Sequence, residues 1–184
     1  MDELSKVLPK LKVLYAMSAL RIDPWLSQLR ELADESMNNG VYCELFRMAL
    51  YDQIIEPEDA HFMLASTIAE LDPTNALPNF KECHLLYVQS RMEEILISKD
   101  LSEDGPLAIA FDLLFGEYAF FRLPESGDDF SFLKFDDFVS TYYQWESYEN
   151  TNFANDELDS IRCEANTSVQ SAAREWLNNL RRGL

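Results

Sequence analysis

Apolar residues recur three or four positions apart along most of this 184-residue chain. The run Trp25, Leu29 and Leu32 shows this spacing most clearly. Such a repeat places apolar side chains on one face of an α-helix, whereas a half-buried strand requires strict alternation. Alternating runs are scarce and glycine is limited to 5 residues. The sequence therefore predicts an all-α fold.

Residues that break helices divide the chain into about eight predicted helices, arranged as a bundle in a single domain over residues 1–184. Asp23 is expected to cap the second helix, with Pro24 at its first position, and Asn38-Asn39-Gly40 is expected to end it. Pro9 weakens the prediction for the first helix, because proline breaks a helix interior. The predicted helices cover residues 4–15, 24–38, 41–53, 57–71, 78–98, 106–123, 132–148 and 156–182.

The negative charge is concentrated in one part of the chain. The whole chain carries a net charge of -18, and residues 100–164 contribute -13 of it. Residues 1–99 contribute -7, whereas residues 165–184 contribute +2. A large net charge favours solubility, and a concentrated one also accelerates association with a cationic partner.

The same region is rich in aromatic residues, since 14 of the 23 in the chain lie between Phe111 and Phe153. Along the seventh helix, one apolar stripe predicted to face the core is formed by Phe135, Phe138, Tyr142 and Trp145. Additional aromatics and acids fall off this stripe. Tyrosine and tryptophan are enriched at the energetic centres of protein interfaces, so these extra rings either anchor a partner or pack under neighbouring helices.

Composition excludes several classes of function and location. A protein without a basic surface is not expected to bind nucleic acid directly. Three widely spaced cysteines without a CxxC motif favour reduced thiols and a cytoplasmic location. The acidic start, Met1-Asp2-Glu3, argues against a secretory signal. The apolar stretch over residues 107–121 contains Asp112 and Glu117, so no membrane span is expected.

Chemical motifs give little support for catalysis. No GxSxG, GxxxxGK[ST] or GxGxxG motif is present. Glu58-x-x-His61 has the spacing that places a carboxylate and an imidazole on one helical face. With His84, these residues define an alternative hypothesis, a helical metal-binding enzyme. The preferred interpretation includes no metal, no cofactor and no catalytic residue.

A short segment suggests a second alternative, a helical adaptor of the repeat type. Residues 70–76, with the sequence ELDPTNA, resemble the junction between tetratricopeptide repeats. That resemblance covers seven residues, and the upstream glycine and tyrosine of such a repeat are missing. An Asp-Pro turn that ends a helix explains the segment equally well.

The leading hypothesis is a non-enzymatic acidic protein that binds a basic protein partner, such as a nuclease or another nucleic-acid-binding protein. It would act as an immunity protein, an antitoxin or an inhibitor that mimics nucleic acid. An acidic surface competes for the cationic site of such a partner, and aromatic side chains supply desolvated anchors. The predicted partner-binding residues are Asp128, Asp129, Asp136, Asp137, Tyr143, Glu146, Tyr148 and Glu149.

Overall fold

The computed structural model describes residues 3–51, 56–99, 105–115, 135–149 and 155–182. Within these ranges the secondary structure consists of eight helices and no strand, so the predicted all-α fold with about eight helices is confirmed. The helices are α1 (Glu3–Ala19), α2 (Trp25–Asn38), α3 (Glu44–Tyr51), α4 (Pro57–Leu71), α5 (Phe80–Ile97), α6 (Pro106–Phe115), α7 (Asp136–Glu149) and α8 (Asn155–Arg181).

The first two helices end in the same way. At the end of α2, the backbone N–H of Gly40 donates to the carbonyl of Met37, and that of Val41 donates to Ser36. Gly40 has a φ of 80°. This is the left-handed helix stop that the sequence predicts at Asn38-Asn39-Gly40. The end of α1 has the same pattern, but a non-glycine residue, Arg21, takes the left-handed position with a φ of 57°.

The first helix is present through Pro9 as predicted, whereas the position of Pro24 differs from the prediction. α1 continues through Pro9 to Ala19. Because Pro9 lies only six residues after the first residue of α1, the missing N–H affects one early hydrogen bond and leaves the later turns intact. Pro24 stands at the N-cap position just before α2, so it is not the first helical residue, and it makes no side-chain cap hydrogen bond. The predicted assignment of Asp23 as the N-cap residue is therefore wrong by one position.

Other helix ends are fixed by side chains close by in sequence. Asn79 accepts a hydrogen bond from the Glu82 backbone N–H (3.1 Å) and donates its own N–H to the Glu82 carboxylate (2.8 Å). This reciprocal capping box starts α5 at Phe80, two residues after the predicted start. Asp72 follows the last residue of α4 and accepts hydrogen bonds from Asn75 and Thr74. Within ELDPTNA, Asp72 and Pro73 thus form a turn that ends a helix.

The chain divides into two compact units, Met1–Tyr87 and Val88–Leu184. In the first unit, α1 packs against α2 and α4, and α3 packs against α2 and α4. The prediction that residues 1–184 form one domain stays a prediction. The largest fully buried side chains of this unit are Phe46, Leu11, Leu29, Leu45 and Leu64.

In the second unit, α8 packs against α6 and α7, and α6 contacts α7. Phe135 and Phe138 lie in its core, and the ring of Trp176 on α8 meets Phe135 edge-on. Polar side chains of α8 hold other helix ends in this unit. The amide of Gln170 donates to the carbonyls of Ile95 and Ser98 at the end of α5.

Candidate partner-binding surface

α7 has one face in the core and another in solvent. Phe135, Phe138 and Tyr142 are buried, as the predicted apolar stripe requires, and Trp145 is half-buried. The opposite face is polar and exposed. The helical repeat explains this division, because residues three, four and seven apart share a face. α7 therefore presents its acidic residues outward because the stripe turns them away from the core.

Three of the predicted partner-binding residues are described with their side chains. Asp136 and Asp137 are exposed in the first turn of α7, and the Tyr143 side chain is 46% exposed. Carboxylates in the first turn are favoured by the helix dipole, which stabilises α7 without any basic partner. No ion pair to Asp136 or Asp137 is present within the described ranges. Their charges are therefore open to solvent.

The remaining predicted residues fall partly or wholly outside the described part of the chain. Asp128 and Asp129 lie outside the described ranges. The backbone of Glu146, Tyr148 and Glu149 belongs to α7, but their side chains are not among those described. The structure thus places Asp136, Asp137 and Tyr143 on one helix. For the other five residues, the proposed role in binding stays a prediction.

An aromatic row connects α6 to α7. We define the aromatic row as Phe111, Phe115 and Tyr143. The ring centroids of Phe111 and Phe115 are 5.5 Å apart, and those of Phe115 and Tyr143 are 5.9 Å apart. Phe111 is 49% exposed and Phe115 is half-buried. The row is therefore a continuous aromatic surface with an accessible ring at each end.

Each helix that carries the aromatic row also carries an exposed carboxylate, Asp112 on α6 and Asp136 on α7. Asp112 lies next to Phe111 and three residues before Phe115, and its side chain is 70% exposed. Asp136 lies seven residues before Tyr143, so the two share a face of α7 at a distance of about 10 Å along the helix axis. The guanidinium of Arg91 is 3.8 Å from the Asp112 carboxylate, and it also pairs with Glu94 at 2.6 Å. Asp112 thus has one distant, shared cation, while Asp136 has none in the described ranges.

The α6 part of this surface was not predicted from the sequence. Phe111 and Phe115 are four residues apart, which is the spacing that brings two rings together on a helix. That signal was available, but periodicity alone cannot show which helix lies beside α6. The contact between Phe115 and Tyr143 joins residues 28 positions apart and appears only when α6 packs against α7.

The histidines of the alternative hypothesis do not form a metal site with Glu58. Among the described residues, no three His, Cys, Asp or Glu side chains lie close enough together to hold a metal ion. The Nδ1 atom of His61 lies 2.7 Å from the Ser18 hydroxyl, and the ring stacks on Tyr15. His84 is buried, with Nδ1 2.9 Å from the Phe80 carbonyl oxygen. The predicted ligand set of Glu58, His61 and His84 is therefore not assembled.

The cysteines are free thiols, and burial controls their chemistry. Burial, and to a smaller extent the neighbouring Glu82 charge, raises the pKa of the Cys83 thiol to about 11. Burial also raises the pKa of Cys43, although the backbone N–H groups of Phe46 and Leu45 act in the opposite direction. At neutral pH both thiols are protonated, which makes them poor nucleophiles.

The chain matches no protein-family model, and its comparison with curated proteins and with solved structures gives no match either. Over the described ranges, no helix has both the length and the apolar character needed to cross a bilayer.

Proposed function

We propose that this protein is a non-enzymatic acidic binding protein whose partner is a basic protein. In this proposal it acts as an immunity protein, an antitoxin or an inhibitor that mimics nucleic acid. The partner is a nuclease or another protein with a cationic nucleic-acid site. Direct binding of nucleic acid is not part of the proposal, since two negatively charged surfaces repel each other.

The observation that carries the proposal is the exposed face of α7. Asp136, Asp137 and Tyr143 combine two charges without a basic partner in the described ranges and a half-exposed tyrosine. Carboxylates steer a cationic protein toward this face, and the tyrosine supplies contact area at low entropic cost. We propose that the same surface continues over five residues whose side chains are not described: Asp128, Asp129, Glu146, Tyr148 and Glu149.

The cysteines bear on where in the cell the protein acts. All three cysteines are free, and a protein with free thiols suits a reducing compartment. We therefore propose a cytoplasmic location for the protein and its partner.

The test is affinity capture at low salt followed by elution with a salt gradient and mass spectrometry. The proposal expects captured proteins of high isoelectric point that elute as ionic strength rises, because salt screens exposed charges. The association rate of the purified partner is then measured for a double variant, Asp136→Asn with Asp137→Asn. We expect association to slow by about 3- to 10-fold, because steering depends on local charge.

A second double variant provides the matched control. Glu31→Gln with Asp34→Asn removes two exposed charges from α2, and so changes the net charge by the same amount. Its association rate should stay near that of the unmodified protein. The proposal is wrong if the captured partner is neutral or acidic and stays bound at high salt. It is also wrong if both double variants slow association equally, since that would indicate net charge rather than the α7 face.

A further inference from the structure

We propose that the aromatic row of Phe111, Phe115 and Tyr143 receives an arginine side chain of the partner. This inference rests on the proposed function and names the chemical group that the surface selects. It extends the binding surface from α7 onto α6, and it predicts that arginine is preferred over lysine.

The first step is the shape of the row. Phe115 bridges the other two rings with centroid distances of 5.5 and 5.9 Å. Phe111 and Tyr143 are 49% and 46% exposed, so a partner can reach both ends of the row. Three touching rings offer a surface on which a planar cation can stack.

The second step is the charge beside the rings. Asp112 flanks the row on α6, with its side chain 70% exposed, and Asp136 shares a helical face with Tyr143 on α7. A cation that stacks on the row therefore has Asp112 as its neighbouring carboxylate, while Asp136, about 10 Å along α7 from Tyr143, attracts it at longer range. Charge complementarity selects a basic occupant over an apolar one.

The third step distinguishes the two basic side chains. A guanidinium is planar and weakly hydrated, stacks on aromatic faces and donates two parallel hydrogen bonds to a carboxylate. An ammonium is a strongly hydrated point charge that gains less from an aromatic surface. Rings beside carboxylates fit the guanidinium in both respects, so the occupant is an arginine-bearing protein segment.

The experiment uses the full chain and two synthetic peptides of equal length and charge, which differ only in having arginine or lysine at every cationic position. Affinities are measured by calorimetry at low salt. The unmodified protein should bind the arginine peptide about 2- to 5-fold more tightly per stacked cation. In Phe111→Leu and Tyr143→Leu this preference should fall toward equal affinity, since leucine keeps an apolar contact but has no π-system.

Phe62→Leu is the matched control, because Phe62 is a 69% exposed phenylalanine of the first unit. It should leave the arginine preference unchanged. Equal affinity of the unmodified protein for both peptides overturns the arginine inference while leaving the proposed function intact. A preference that survives both leucine substitutions in the row also overturns it. If neither peptide binds, the row does not hold an arginine side chain and the inference is overturned, whereas the proposed function is decided by the salt-dependent capture of a basic protein.

Discussion

The side-chain oxygen Oδ1 of Asn166 accepts a hydrogen bond of 2.8 Å from the backbone N–H of Leu107, at the start of α6. The first N–H groups of a helix have no partner within the helix, and a side chain just before the helix commonly accepts from them. Gly105 and Pro106 precede Leu107, and neither has a side-chain acceptor. Asn166, itself buried in α8, therefore caps α6 from 59 residues away.

Replacement of Asn166 by alanine should lower the free energy of unfolding by about 1–2 kcal/mol. The substitution removes the acceptor for a helix N–H and leaves a gap at a buried position. Urea denaturation followed by circular dichroism measures the change. Asn178→Ala, at an exposed position on the same helix, is the control and should change stability by less than about 0.5 kcal/mol. Equal effects of the two substitutions would contradict a capping role for Asn166.

Arg21 and Gly40 end α1 and α2 in the left-handed conformation, and substitutions at these two positions should change stability in opposite directions. Arg21 has a φ of 57°, a conformation that costs a residue with a Cβ about 1–2 kcal/mol. Arg21→Gly should therefore stabilise the protein by about 0.5–1 kcal/mol, after the greater freedom of glycine in the unfolded chain is subtracted. Thermal unfolding should show a higher midpoint.

Gly40→Ala is the reciprocal test. Gly40 has a φ of 80°, and a Cβ added there would meet no atom within 4 Å. Any loss of stability thus comes from the backbone conformation and not from a clash. We expect a loss of about 1 kcal/mol. If both substitutions shift the midpoint in the same direction, backbone strain does not govern these two helix ends.

The sequence predicts those features of the fold that depend on residues close together in the chain. Asn39-Gly40 ends α2 as predicted because a left-handed stop depends only on neighbouring residues. Phe135, Phe138 and Tyr142 are buried as predicted because helical periodicity defines which face is apolar.

Contacts between distant residues explain what the sequence does not predict. Two contacts depend on which helices are neighbours. One is the ring contact of Phe115 with Tyr143, and the other is the hydrogen bond between Ser18 and His61. The spacing of His61 to Glu58 suggests a metal ligand, but the packing of α1 against α4 gives its Nδ1 atom a hydroxyl partner instead. Spacing within one helix carries no information on what the adjacent helix supplies.

The pair of Lys12 and Asp72 predicts a pH dependence of stability. The Lys12 ammonium donates to the Asp72 carboxylate at 2.6 Å, and Asn75 donates to its other oxygen. These contacts lower the pKa of Asp72 below its ordinary value, with the Lys12 hydrogen bond as the largest cause. A lowered pKa in the folded state adds stability above the unfolded pKa of about 3.9, and this contribution is lost as the pH falls through the folded value.

Lys12→Met should therefore be less stable than the unmodified protein near neutral pH, and the two should converge in acid below the folded pKa of Asp72. Urea midpoints across the acidic range measure this convergence. Lys10→Met is the control, because the pair of Lys10 with Glu35 is 61% exposed on both sides and contributes little. A stability difference for Lys12→Met that does not change with pH would contradict the assignment.

Thiol reactivity should follow the burial of the three cysteines. Cys163 is exposed on α8, Cys43 is intermediate and Cys83 is buried with a pKa of about 11. Only the thiolate attacks a disulfide reagent, so the raised pKa alone should slow Cys83 by about 100-fold relative to an ordinary thiol.

Reaction with an aromatic disulfide, followed by absorbance, should show one fast phase that disappears in Cys163→Ser and persists in Cys83→Ser. In urea, Cys83 should react as quickly as the other two. A fast phase that survives in Cys163→Ser would show that a second thiol is accessible in the folded protein.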